Sequence, residues 1–132
     1  MNRTVYSPYA TSGDATDVVA AFTGAGASAP TVTASSATAD PTKILAADNF
    51  AASATRSATG TYVLTLKEKF PEFLHVMPEV LSPTGNWLAV TSWSTTAGTI
   101  SVQAYNAAGT AADLTTSDIA RLRIYARGNR NT

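Results

Sequence analysis

Gly60-Thr61-Tyr62-Val63-Leu64-Thr65-Leu66 sets Tyr62, Leu64 and Leu66 in alternation with Thr61, Val63 and Thr65. Side chains of an extended strand point to opposite faces with period 2, so this stretch reads as a strand with one strongly apolar face. Its β-branched, aromatic and leucine content, opened by a glycine, supports that reading.

The same theme continues toward the C-terminus. After a charged turn at residues 67–71, residues 73–81 place Leu74, Val76 and Val80 on one side and His75, Met77 and Glu79 on the other. Pro78 lacks a backbone donor and therefore requires an edge position or a bulge. Ser82-Pro83-Thr84-Gly85-Asn86 is a turn. In residues 87–93, Leu88 and Val90 alternate with Trp87, Ala89, Thr91 and Trp93, which puts both indoles on one face. A turn at 95–98 leads into a clean alternation over 99–105. Residues 106–118 are too long for a tight hairpin and are expected to cross between sheets. Residues 120–127 form the last strand, with Leu122 and Ile124 inward and Arg121, Arg123, Tyr125 and Arg127 outward.

Toward the N-terminus, residues 50–57 pair with the central strand through Ala58-Thr59-Gly60. Val18-Val19-Ala20-Ala21-Phe22, favoured as a strand although Asp14 and Asp17 could cap a short helix there, and Thr31-Val32-Thr33 are shorter strand candidates, separated by a Gly/Pro loop. A polar connection at 34–43 precedes Ile44-Leu45. The many alanines alternate with Ser, Thr and Gly rather than forming an amphipathic stripe, which argues against helices.

Together these readings predict an all-β protein, an antiparallel β-sandwich of jelly-roll-like kind at residues 18–132, with an extended N-terminal arm at 1–17. Its core is expected from Tyr62, Leu64, Leu66, Leu88, Val90, Ile100, Val102, Leu122 and Ile124. The chain has 132 residues, enough for one domain with a true core. Of its 25 Leu, Ile, Val and Phe residues, eight lie in residues 1–60 and seventeen in 61–132. Burial is therefore expected mainly in the second half, with the first half leaning on it or on another subunit.

Nine basic and nine acidic residues balance, so no overall field draws the chain to nucleic acid or to an anionic membrane. Without cysteine there is no disulfide, thiolate nucleophile or cysteine-based zinc site. His75 is the only histidine. A triad would need it beside Ser82 or Ser92 with Glu79, but no Gly-x-Ser-x-Gly turn is present. Glu68, Glu72 and Glu79 lie close in sequence, yet they read more simply as charges that keep a strand edge soluble. The aspartates lack calcium-loop spacing, and Gly24-Ala25-Gly26 lacks what a phosphate loop needs. The expectation is a non-enzymatic protein without cofactor or metal.

Two features suit a partner. The arm carries Arg3, Val5, Tyr6 and Tyr9, which offer large contact area to a surface onto which it folds, although a frayed terminus has the same composition. Arg121, Arg123, Tyr125 and Arg127 form a basic stripe that reads most simply as the solvated face of an edge strand, and otherwise fits an acidic protein surface ahead of a phosphate backbone.

The run Thr55-Arg56-Ser57-Ala58-Thr59-Gly60 leading into Thr61–Leu66, the segment Ala27-Ser28-Ala29-Pro30-Thr31-Val32, and the Arg123-Ile124-Tyr125 strand running to Arg130-Asn131 resemble small virion structural proteins of tailed bacteriophages. The family includes capsid decoration, or cement, proteins. The resemblance implies a homotrimer that clasps major-capsid subunits and stabilises the assembled head, located on the capsid surface after assembly in the host cytoplasm. It implies no catalytic residues. The other reading of the sequence is a carbohydrate- or receptor-binding module of a phage fibre, with Trp87 and Trp93 as stacking platforms; the same indoles also suit a core or a subunit interface.

Overall fold

The computed structural model describes residues 15–32 and 49–127. The expectations placed on Arg3, Val5, Tyr6, Tyr9 and Ile44-Leu45 lie outside the described residues. Seven strands and no helix occur among those described: β1 (Ala15–Thr23), β2 (Ala51–Ala58), β3 (Thr61–Leu66), β4 (Glu72–Leu81), β5 (Trp87–Ser94), β6 (Thr99–Tyr105) and β7 (Ile119–Arg127). They form a three-stranded sheet, β1-β7-β4, packed on a four-stranded sheet, β2-β3-β6-β5, with every pairing antiparallel. This is a β-sandwich.

The order matches that of a constant-type immunoglobulin sandwich, with β2-β3-β6-β5 in the places of strands A, B, E and D and β4-β7-β1 in those of C, F and G. The place of G is taken by the first strand rather than the last. Since β1 starts at Ala15, residues 15–17 belong to the sandwich and not to an arm.

Period-2 alternation builds the core. Tyr62, Leu64 and Leu66 of β3 face inward with Ile100, Val102 and Ala104 of β6, and meet Leu122 and Ile124 of β7. Val90 is only partly buried and packs at the margin. The long connection from β6 to β7 crosses between the sheets as expected, and brings Leu114 into full burial.

The first half contributes more than its composition suggests. Phe22 lies 5.0 Å from the Tyr62 ring, and Phe50 stacks 5.6 Å from Phe70. Phe70, in what reads as a charged turn, is buried. Among so many alanines, these rings fill space that small side chains leave open.

β1 has β7 on one side only, and its other edge is closed by side chain and loop. Asn49, which is buried, accepts from Ala21 N–H at 2.8 Å through Oδ1 and donates from Nδ2 to Ala21 O at 2.9 Å and to Val32 O at 2.8 Å. Ala51 N–H also donates to its Oδ1 at 3.0 Å. Phe50 N–H donates to Val19 O, while Thr31 exchanges backbone bonds with Thr23. Of the expected strand at 31–33, the described residues form an isolated bridge at Thr31, which seals this edge.

Two bulges correct the face assignments. Between Phe73 and His75 the register slips, so Phe73, opposite Ala126, takes the inward place expected for Leu74. In β5 the slip lies between Val90 and Ser92, so Trp87 pairs with outward Tyr105 but Trp93 pairs with inward Ile100. The two indoles lie on opposite faces, because one extra residue inverts the parity of everything beyond it.

Asn49→Ala is expected to cost at least about 2 kcal/mol, since it strands several buried backbone groups at once. Asn49→Asp should be no better, because a carboxylate cannot donate to Ala21 O or Val32 O. Thr55→Ala, on an exposed position of β2, should stay within about 0.5 kcal/mol. Urea unfolding of the three variants measures the comparison.

Candidate functional site

The constellations that could carry catalysis are engaged elsewhere or kept apart. Ser82 Oγ accepts from Thr84 N–H at 3.3 Å and Asn86 N–H at 3.2 Å, holding the β4–β5 turn. His75 is exposed, opposite Tyr125 in the β4–β7 register, and its imidazole has no hydrogen-bond partner among the described residues. Glu72 and Glu79 form ion pairs with Arg127 and Arg121. No group of three or more His, Asp and Glu among the described residues could hold a metal ion.

Asp113 and Asp118 hold the crossing loop. Asp113 takes both Arg56 Nε at 2.8 Å and Nη2 at 2.9 Å, and accepts from Gly60 N–H at 2.7 Å. Gly60 has φ 71°, and any Cβ there would run into Gln103 and the carbonyls of Ala104 and Ala112. The Arg56 hydrogen bonds hold the Asp113 carboxyl below its ordinary value, against the opposing effect of burial and with help from Gly60 N–H. Next to it, Leu114 N–H donates to the Tyr62 hydroxyl oxygen at 2.8 Å, and burial pushes that phenol upward. Asp118, fully buried, accepts from Thr115 N–H at 2.8 Å and from Asn86 Nδ2 at 3.0 Å. These groups are architectural. Nothing in the run of residues 106–118 signals them beyond the aspartates themselves.

The basic stripe is neutralised within its own sheet. β7 is the central strand of three, which corrects the edge-strand reading. Arg121 pairs with Glu79 at 2.8 Å, Arg123 with Asp17 at 2.9 Å and Arg127 with Glu72 at 3.1 Å. Each arginine meets a carboxylate from a flanking strand, the cross-strand arrangement that stabilises a sheet face. Tyr125 stands among these pairs, with His75, Met77, Asp17 and Arg123 around a depression of about 390 Å³. The stripe therefore offers little unpaired charge to an acidic partner.

The apolar surface is concentrated elsewhere. The exposed large apolar side chains of the described residues are Leu74, Met77 and Leu81 of β4 and Trp87 and Trp93 of β5, from 37% exposed at Leu74 to 58% at Trp93. All five come from two edge strands that meet along one flank of the sandwich. The two indoles differ. Trp87 stacks on Tyr105 at 4.4 Å and donates Nε1–H to Asn106 O at 3.0 Å. Trp93 has neither ring nor hydrogen-bond partner among the described residues, and walls a groove of about 270 Å³ with Phe73, Leu74, His75, Val76 and Val90. The sequence alone misses this flank because it depends on the two bulges and on which strands become edges.

Comparison of the chain with protein-family models, with curated proteins and with solved structures returned no match.

Because the folded state lowers the Asp113 pKa, its stabilisation is fully present above the ordinary value of 3.8 and is lost as pH falls through the lower folded value. Asp113→Asn should therefore be less stable than the parent at neutral pH, with the difference shrinking below about pH 4. Denaturant midpoints measured from pH 7 to pH 2 check this. His75→Ala should leave fold and stability nearly unchanged, and should abolish no hydrolytic turnover with esterase, peptide or glycoside substrates.

Proposed function

We propose that this chain is a non-enzymatic virion protein, a capsid decoration protein that binds the assembled bacteriophage head through the β4–β5 flank and bridges major-capsid subunits. The observation that carries the reading is the exposure of Leu74, Met77, Leu81, Trp87 and Trp93 along the two edge strands, β4 and β5, that meet at one flank. Large apolar side chains left exposed on two neighbouring edge strands are a feature of protein-binding sites. The resemblance of the β2–β3 hairpin and the C-terminal strand to virion structural proteins supplies the partner. A protein that binds only the assembled shell stabilises it by mass action, and repetition over many sites multiplies the effect.

Self-association as a homotrimer is supported by the resemblance alone. Phe22 and Phe50 complete the core within one chain, so no burial between subunits is needed to finish it. The carbohydrate-binding reading loses its joint platform, since Trp87 and Trp93 lie on opposite faces.

The test is co-sedimentation of the purified protein with particles that lack it. The parent should pellet with particles at a fixed copy number. Met77→Asp combined with Leu81→Asp, both on exposed positions, should weaken binding by roughly tenfold or more while leaving the circular dichroism spectrum intact. Failure of the parent to bind particles, or equal binding by the double variant, overturns the proposal. Sedimentation equilibrium of the free protein checks the trimer.

A further inference from the structure

The outer face of the three-stranded sheet carries a concavity of different chemistry from the apolar flank. Asp17, Tyr125 and His75 stand side by side across its three strands, and in the next row Arg123 lies opposite Met77. The bulge between Phe73 and His75 sets this arrangement, because it brings His75 and Met77 to the face of Tyr125. The five side chains line the depression of about 390 Å³, within the range of about 300–1,000 Å³ usual for small-ligand sites. The outer strands of such a sheet are about 10 Å apart, so Asp17 and His75 flank a space the breadth of one sugar ring, with Tyr125 between them.

We propose that this depression binds a neutral carbohydrate, one pyranose unit with its C–H face on Tyr125 and Met77 and its hydroxyls on Asp17, Arg123 and His75. Charge selects the class. Arg123 Nε and Nη2 donate to Asp17 Oδ2 at 3.2 and 2.9 Å, and the other arginines of this face are matched by Glu79 and Glu72. An anion arriving here meets a guanidinium already neutralised and a carboxylate beside it, and a cation meets the reverse. Hydrogen-bonding capacity nevertheless remains in both directions. Asp17 Oδ1 accepts only a long contact of 3.4 Å from Arg123 Nε, and Arg123 Nη1 makes no hydrogen bond among the described residues. The Tyr125 hydroxyl and the His75 imidazole are likewise without partners there. A sugar hydroxyl both donates and accepts, so vicinal hydroxyls can take an acceptor and a donor from one ion pair. Asp17 and Arg123 already hold each other, so little side-chain freedom is lost on binding.

Tyr125 is half-buried on the central strand, with a paired strand on either side of it. The face of an aromatic ring is its negative side and suits the slightly positive C–H groups of a pyranose. Met77, 52% exposed, extends the apolar floor. The groove of Trp93, by contrast, is lined by no carboxylate or guanidinium. Of the exposed apolar residues only Met77 belongs to the depression. The inference therefore stands apart from the decoration proposal, and its test leaves Met77 unaltered.

The test is a titration of the isotopically labelled full chain with methyl glycosides of glucose, galactose, mannose and N-acetylglucosamine, each to about 20 mM, followed by amide chemical shifts. At least one glycoside should shift the signals of Asp17, His75, Arg123 and Tyr125 saturably. N-acetylneuraminate and glucosamine should bind severalfold more weakly, and raising sodium chloride from about 50 to about 500 mM should change the Kd by less than about twofold. Tyr125→Ala should weaken binding roughly tenfold and Asp17→Ala severalfold, while Trp93→Ala leaves it unchanged. If Tyr125→Ala does not fold, Asp17→Ala and Tyr125→Phe, which loses the hydroxyl alone, carry the comparison. No saturable shift with any of the four glycosides, shifts centred on the groove of Trp93, tighter binding of the acidic or the basic sugar, or unchanged affinity in the Asp17 and Tyr125 variants would each overturn the site.

Discussion

A strand that enters a sheet from the wrong end of the chain must be held from both sides, and this constraint organises the molecule. β1 fills the last place of the three-stranded sheet although it comes first in sequence, and only β7 pairs with it. Its free edge would expose the backbone of Val19, Ala21 and Thr23. Phe50 N–H, the Asn49 carboxamide and Thr31 take up those groups. Asn49 acts as a strand of one residue. Its two donors and its oxygen meet four backbone groups, so the desolvation cost of burying a polar side chain is offset within the core. With β1 fixed, Phe22 is delivered onto Tyr62 and the two sheets acquire a common centre.

Tyr62 joins the levels of the fold. Its ring fills the alanine-rich interior, while its hydroxyl receives Leu114 N–H from the crossing loop. Asp113, one residue earlier, ties that loop to the β2–β3 hairpin through Arg56 and Gly60. The loop is thus pinned at adjacent residues by a neutral buried bond and a charged, partly exposed one. Gly24 matters at the same junction, because a Cβ there would land on the Leu114 backbone. Packing between loop and sheet leaves no room for a larger residue.

The strands were legible wherever alternation was uninterrupted. Thr61–Leu66, Thr99–Tyr105 and the inward Leu122 and Ile124 need no tertiary information, since period 2 alone sorts their side chains. Bulges defeat the same logic: a slipped register has no marker in Leu74 or Thr91, so strict alternation puts Leu74 and Trp93 on the wrong faces. Strand order was not legible either. Whether β7 is central or an edge depends on β1 returning to it over about a hundred residues, and that pairing decides whether its arginines are free or matched. Asn49 was unreadable for a related reason, as its partners at Ala21 and Val32 are brought to it only by the fold.

The position of the candidate surface follows from how each edge is managed. β1 is sealed, and β2 is broken by two register shifts that spoil it as a template. On the opposite flank β4 carries Pro78 in the middle of its open edge. Pro78 is opposite Leu122, and having no N–H it cannot belong to a hydrogen-bonded pair with β7; its nitrogen therefore faces outward, where an added strand would need a donor. β5 has its bulge at the corresponding place. Strand addition is thus discouraged on both edges of a flank that nevertheless displays Leu74, Met77, Leu81 and two tryptophans. A partner arriving there meets side chains rather than a row of backbone donors and acceptors. Recognition must then come from shape and apolar complementarity, which suits docking onto a folded surface better than capture of an extended peptide.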